Sequence, residues 1–213
     1  MFQFKNRFDG IPTDESLSDR EKTYLQSKML IDLENITEDS VVIDIGCNHG
    51  EVVRALVDTG CKIYAFEPHP VFYGMLNSKF SRESNVFLSN EAVWRNKEKR
   101  KFYFKKSRTA INGGATLMEE KENIIDHSLN IEVDCLDIAE LIGRFDSVDI
   151  LKIDVEGAEY ELLDRLYESG LHERVKSIYF EDHERKMISS RFMQLKYKVV
   201  KDYSSAEREL YWW

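Results

Sequence analysis

Apolar positions along the chain recur in two alternating periods. Leu25, Met29 and Leu33 fall four residues apart, and Ser18-Asp-Arg-Glu21 ahead of them has capping-box spacing, which predicts a helix over 18–34. Residues 40–44 (SVVID) are short, β-branched and almost wholly apolar, as a strand buried on both faces is. A glycine turn at 46–50 leads from them into helical 51–58. The strand pattern returns at 62–66 (KIYAF), 85–88, 101–104, 131–135, 148–155 (VDILKIDV) and 176–180. Helices are predicted around 72–79, beyond Pro68 and Pro70, over 158–167, and over 185–195. The aromatic and β-branched runs 197–201 and 207–212 read as an antiparallel pair turning at 202–206. Strands alternating with helices give an α/β fold: a mainly parallel sheet with right-handed crossovers, covered on both faces and finished by a C-terminal antiparallel hairpin. Ligands then belong at the carboxyl ends of the strands.

With 213 residues and no linker-like or repetitive tract, the chain is expected to form one domain. Residues 1–38 would be a helical N-terminal extension and 39–213 the core. A formal net charge of −9 repels a polyanion, so nucleic acid is not expected as a partner. No apolar run approaches the ~18 residues that span a bilayer, and residues 1–10 lack a signal-peptide core. A cytoplasmic protein without membrane contact is the expectation. Cys47, Cys61 and Cys135 have neither disulfide-framework nor CxxC spacing, and Cys47 within the turn reads as structural. The basic stretch 95–108 reads as a solvated strand face.

The turn Asp44-Ile-Gly46-Cys47-Asn48-His-Gly50 stands where a first strand meets a helix, where glycines let backbone amides approach a ligand. A dinucleotide fingerprint starting at Gly46 would need glycine where the chain has Asn48 and Glu51, and Glu51 would repel a pyrophosphate. Glu67, 21 residues beyond Gly46, ends the second strand, where an acid accepts hydrogen bonds from both ribose hydroxyls. A nucleoside without pyrophosphate beside carboxylates points to S-adenosylmethionine, whose sulfonium and amine are cationic. The second cluster is LKIDVEGAE, with Asp154 at a strand end and Glu156 and Glu159 in the first turn of the next helix. If its strand neighbours the first, Asp44 and Asp154 flank one crevice.

LKIDVEGAE, preceded by VIDIGCNHG and FEPHP, resembles the signature of FkbM-type S-adenosylmethionine-dependent methyltransferases over residues 41–183, with weaker echoes at Asn90-Glu91-Ala92 and Gly114-Ala-Thr116-Leu117. The resemblance implies a class I methyltransferase-like, Rossmann-type fold with a seven-stranded sheet. It implies that 44–50 bind the methionine portion, Glu67 and Pro68 the ribose, and 90–92 the adenine, with Asp154 facing cofactor or acceptor. Glu181-Asp182-His183 has the family's Glu-x-His spacing.

The resemblance further implies methyl transfer to a hydroxyl of a sugar, glycan or small molecule, with nitrogen and carbon acceptors left open by the sequence, and in-line geometry would be supplied by the protein. His183 is expected as general base, its ordinary pKa suiting neutral pH, oriented by Glu181 or Asp154, with Glu156 beside them. Rival readings are a non-catalytic nucleoside-binding module on the same fold, and a nicotinamide oxidoreductase. A divalent metal among Asp154, Glu181, Asp182 and His183 is conceivable, but no ligand spacing calls for one, and no metal is expected.

Overall fold

The computed structural model describes residues 5–8, 17–105, 113–121, 127–187 and 189–213. Residues 106–108 of the basic stretch, and most of residues 1–10, lie outside these. Ten strands and six α-helices are described: β1 (Lys5–Asn6), α1 (Asp19–Leu33), β2 (Val41–Ile45), α2 (Glu51–Leu56), β3 (Lys62–Phe66), α3 (Pro70–Phe80), β4 (Val86–Ser89), β5 (Ala92–Trp94), β6 (Glu98–Tyr103), β7 (Asn130–Asp137), α4 (Ile138–Ile142), β8 (Val148–Ile153), α5 (Glu159–Glu168), β9 (Val175–Phe180), α6 (Ser190–Ser205) and β10 (Leu210–Trp212). The main sheet has the order β1-β10-β9-β8-β2-β3-β4, and every pairing in it is parallel. A second, mixed sheet of β5, β7 and β6 stands beside it.

Both faces of the main sheet are covered, and side-chain alternation along each strand decides which helix each residue meets. Val42, Ile63, Ala65 and Ile150 pack with Leu30 of α1, Val52, Val53 and Leu56 of α2, and Leu76 and Phe80 of α3. Ile43, Ile45, Leu151, Ile153 and Ile178 pack with Ile138, Leu162, Leu163, Leu166, Phe192, Val199 and Tyr203 of α4, α5 and α6. No helix among the described residues is long and apolar enough to cross a membrane.

The expected C-terminal hairpin is corrected. Residues 197–201 lie inside α6, and β10 runs parallel to β9, pairing Leu210 with Ile178 and Trp212 with Phe180. Strand propensity is worth at most about 1 kcal/mol here. Phe192, Val199 and Tyr203, spaced seven and four apart, are all buried on the α5 side, at about 1.5–3 kcal/mol for each such side chain. Burial wins, and α6 becomes the crossover that a parallel β10 requires. The predicted strand at 101–104 is the end of β6 and that at 131–135 the middle of β7, but both belong to the small sheet.

Candidate active site

Four consecutive strands of the main sheet end in residues of the site. Glu181 follows β9, Asp154 follows β8, Gly46 follows β2 and Glu67 follows β3, each one residue beyond its strand. Backbone bonds carry the ladder through this row: Glu181 N–H donates to Ile153, Asp154 N–H to Ile45, Gly46 N–H to Phe66 and Glu67 N–H to Ser89, at 3.0–3.1 Å. With strands ~4.8 Å apart, the row is about 14 Å long. It floors a cleft of about 350 Å³. Phe66, Ala92, Val93, Phe102, Ala115 and Leu117 form an apolar wall, and Cys47, Asn48, Pro68, His69 and Phe72 surround Glu67. Glu156, Lys152 and Lys186 line the end near Asp154 and Glu181.

Glu67 is held by two backbone donors, Asn48 N–H on Oε2 and His69 N–H on Oε1, both at 2.8 Å. Burial raises its carboxyl to about 7, against those two bonds and with the charge of Asp44. Asn90 does not line the cleft; its amide donates to the Glu67 carbonyl at 2.8 Å and so fixes the same loop. Glu91 is likewise turned away, accepting from Ser89, while Ala92 reaches the cleft.

Asp44 is corrected as a ligand contact: it is fully buried and does not line the cleft. Its Oδ1 lies 3.4 Å from Lys152 Nζ, which lies 3.2 Å from Asp154 Oδ2. Asp44 and Asp154 therefore do meet, through a lysine between them. Burial raises the Asp44 carboxyl despite Lys152. Burial opposes the ammonium of Lys152, but Asp44 and Asp154 outweigh it and hold it charged. The sequence signal for this residue is a lysine set inside the otherwise apolar run 150–153, one residue before the strand ends.

The glycines are also demanded by packing within the protein, and Gly46 itself lines the cleft. A Cβ on Gly46 (φ +80°) would stand 1.9 Å from the Asp154 carbonyl oxygen, and one on Gly50 (φ +79°) 2.5 Å from the Leu76 side chain. Both exclusions come from protein packed on protein, and Gly50 is outside the cleft. Cys47 lines the cleft, but burial first, and then Asp44 and Glu67, push its thiol far above the ordinary range, so it is no nucleophile.

The second cluster turns on Glu156, which is in the left-handed region (φ +57°) just before Gly157 (φ +112°), so α5 begins only at Glu159. The double left-handed turn sends the two glutamates of the motif to opposite sides. Glu156 faces the cleft, whereas Glu159 is fully buried and accepts from Val155 N–H, Gly157 N–H and His183 Nδ1. His183 is 2% exposed and lies behind the cleft wall, with Nε2 3.3 Å from both Glu156 and Glu181. Burial would lower its pKa, but the bond to Glu159 and the charges of Glu159, Glu156 and Glu181 raise it to about 9. The imidazole expected to accept a proton already carries one at neutral pH and has no opening to an acceptor.

Glu181 has both attributes that His183 lacks. Its side chain is 42% exposed and lines the cleft, and burial, then the charge of Asp154, raise its carboxyl to about 7. Burial would raise Glu156 too, but His183, Lys121 and Lys186 hold it down at about 2. Asp154, Glu159 and His183 each bring one ligand-type atom within 4.8 Å of the others. Glu159 Oε1 is already engaged by His183, however, and Asp154 by Lys152, so the protein's own cations meet these acids. Over the cluster folds 113–118, pinned by the Thr116 hydroxyl donating to the Glu156 carbonyl (2.8 Å) and by paired backbone bonds between Thr116 and Tyr103.

These shifts set the stability profile of the ligand-free chain. Glu67 and Glu181, raised in the fold, stabilise it fully below their unfolded values and lose that contribution as pH rises to about 7. His183, raised from about 6.5 unfolded, loses its contribution as pH rises through about 9. Glu156, depressed, loses its contribution as pH falls towards about 2. The melting temperature should therefore peak on the acid side of neutrality. In His183→Gln the decline between pH 6.5 and 9 should flatten, and thermal melts across that window check it.

No curated protein matches the sequence. Similar solved structures include precorrin-6y C5,15-methyltransferase of Geobacter metallireducens (14% identity, 92% of this chain and 78% of that one, TM-score 0.46). A precorrin-8w decarboxylase of Methanobacterium thermoautotrophicum gives 15% identity, 85% and 70% coverage, and TM-score 0.44. The chain spans about half the length of an S-adenosylmethionine-dependent O-methyltransferase of Thermotoga maritima (14% identity, 84% of this chain and 49% of that one, TM-score 0.42). The model of the methyltransferase FkbM domain matches residues 44–197.

Proposed function

The chain belongs to the FkbM methyltransferase family, and from that premise we propose that it methylates a hydroxyl of a sugar, glycan or small-molecule acceptor, with S-adenosylmethionine as donor. The observation that carries this reading is the row along the sheet edge. A carboxylate with its outer lone pairs free for a diol, Glu67, stands at one end, and a cleft-facing carboxyl near neutrality, Glu181, at the other.

The residues present fit the cofactor. Glu67, fixed from behind by two N–H donors, accepts from two ribose hydroxyls, and Val93, Phe102 and Leu117 offer an apolar wall to the base. Around Asp154, five carboxylates (Asp44, Asp154, Glu156, Glu159, Glu181) face four cations (Lys121, Lys152, Lys186, His183), a mildly negative setting that suits a sulfonium. When bound, S-adenosylmethionine supplies an electrophilic methyl on a cationic sulfur, open to in-line attack by oxygen. Glu181 takes the proton of the attacking hydroxyl, because a catalytic pKa near the working pH makes an effective base. His183, as imidazolium locked by Glu159, orients Glu181 and Glu156 from behind. Lys152, paired also with Asp44 behind it, holds Asp154 in the row.

Calorimetry with S-adenosylhomocysteine, followed by transfer of labelled methyl to hydroxyl and amine acceptors, tests the reading. Absence of binding would remove the cofactor, and transfer to amines alone would remove the hydroxyl. Glu67→Gln should weaken S-adenosylhomocysteine about tenfold or more, since an amide offers one acceptor where the diol needs two and bonds to charged groups are worth about 1.5–3 kcal/mol each. Titration of the variant measures it.

A further inference from the structure

The matched domain begins at residue 44, yet three residues that line the cleft precede it: Asp19, Arg20 and Thr23, in the first turns of α1. They face the cleft beside Asn48, His49 and Glu51, away from the acid cluster at Asp154. We propose that this turn of α1 is the recognition site for the amino-acid end of the cofactor, with Arg20 receiving the α-carboxylate and Asp19 the α-ammonium. The inference rests on the cofactor reading above.

Charge balance is the first argument. Glu51 is shared by two guanidiniums, Arg20 at 2.6 Å and Arg54 at 3.1 Å, so one positive charge at this end of the cleft has no carboxylate of its own within the pair. Asp19, adjacent to Arg20, brings the group to neutrality with its charges separated. A zwitterion has that pattern in reverse. The other lining ammoniums, Lys152 and Lys186, stand among the acids of the second cluster, which repels a carboxylate.

Preorganisation is the second. The start of α1 is fixed by the reciprocal Ser18–Glu21 capping box, and the helix is docked on α2 by Arg54 stacked 4.0 Å over the Tyr24 ring. Glu51 Oε1 engages the Nε and Nη2 side of Arg20, which orients the planar fork and leaves Nη1 for a ligand. Thr23 donates its hydroxyl to the Asp19 carbonyl at 3.0 Å, tightening the same turn.

The test compares two nucleosides that differ only at the end in question. S-Adenosylhomocysteine carries the amino-acid tail, whereas 5′-methylthioadenosine keeps adenine, ribose and sulfur but lacks it. In Arg20→Met, which retains the aliphatic stem, affinity for S-adenosylhomocysteine should fall about tenfold or more, with methylthioadenosine unchanged within about twofold. Arg20→Lys, keeping charge without the fork, should fall between, and Asp19→Asn should show a smaller loss confined to the same ligand. Equal losses for both nucleosides, or no loss for either, would overturn the assignment. A collapsed Arg20→Met fold would lose both ligands and show in its melt, and Arg20→Lys then decides by the same difference. A wild-type chain that binds neither nucleoside defeats the cofactor reading itself, while one that binds both equally well defeats only the α1 site.

Discussion

Glu181→Gln should lower the turnover number by about 10²–10³, while S-adenosylhomocysteine affinity stays within about twofold. A positioned general base contributes typically 10²–10⁴ in rate, and Glu181 stands at the far end of the row from Glu67, so its loss spares the nucleoside. The wild-type rate should rise with pH through about 7, since Glu181 accepts a proton only once ionised. That rising limb should vanish in the variant. Glu156→Gln is the discriminating comparison. Its carboxyl, held at about 2, stays ionised throughout but is too weak a base to retain a proton near neutrality, so its loss should leave the rising limb in place. His183→Gln should lower turnover less than Glu181→Gln, because it removes only the imidazolium behind Glu181 and Glu156. Steady-state kinetics from pH 5.5 to 9 on the three variants separate these roles, and a Glu181→Gln enzyme with wild-type turnover would end the assignment.

The main sheet was largely legible because its strands announce themselves. Val41–Ile45, Lys62–Phe66 and Val175–Phe180 are short apolar runs bounded by glycine, proline or charge, and each was predicted to within one residue. Their parallel order brings Glu67 and Asp154 to one edge, as alternating strands and helices imply. What failed had local reasons. Tyr197, Val199 and Val200 carry strand propensity inside a helix whose burial period of seven and four only tertiary packing rewards. β5, three residues long, gives almost no pattern of its own, and the small sheet was merged with the large one.

The site was legible by residue but not by orientation. LKIDVEGAE contains Asp154, Glu156 and Glu159, but spacing on an ideal helix puts the glutamates together, whereas two left-handed residues before the helix separate them. The Glu-x-His spacing likewise places Glu181 and His183 on the same side of an extended segment, without revealing that Glu159 draws the histidine inward. Arg20 was invisible as a ligand because its role depends on where α1 docks, which helical periodicity does not encode.

Gly46→Ala should be the most destabilising single-methyl change at the site. Its Cβ would stand 1.9 Å from the Asp154 carbonyl oxygen, backbone fixed by the Asp154 N–H bond to Ile45 and unable to rotate away. The residue also has φ +80°, where an alanine costs about 1–2 kcal/mol before any clash. Forced overpacking adds about 1–3 kcal/mol, so the expected loss is about 2–5 kcal/mol, a large part of the 5–15 kcal/mol that holds an ordinary domain together. Gly170→Ala isolates the backbone part, because φ is +73° there and nothing lies within 4 Å of the added carbon. Gly50→Ala falls between, since its close contacts, 2.5 Å to the tip of Leu76 and 3.0 Å to the Phe80 ring, are with side chains rather than with backbone. Denaturant titrations of the three variants should therefore rank Gly46 well above Gly50 and Gly50 above Gly170. If Gly46→Ala matched Gly170→Ala in stability but lost nucleoside binding, the glycine would be there for the ligand after all and not for the junction between β2 and β8.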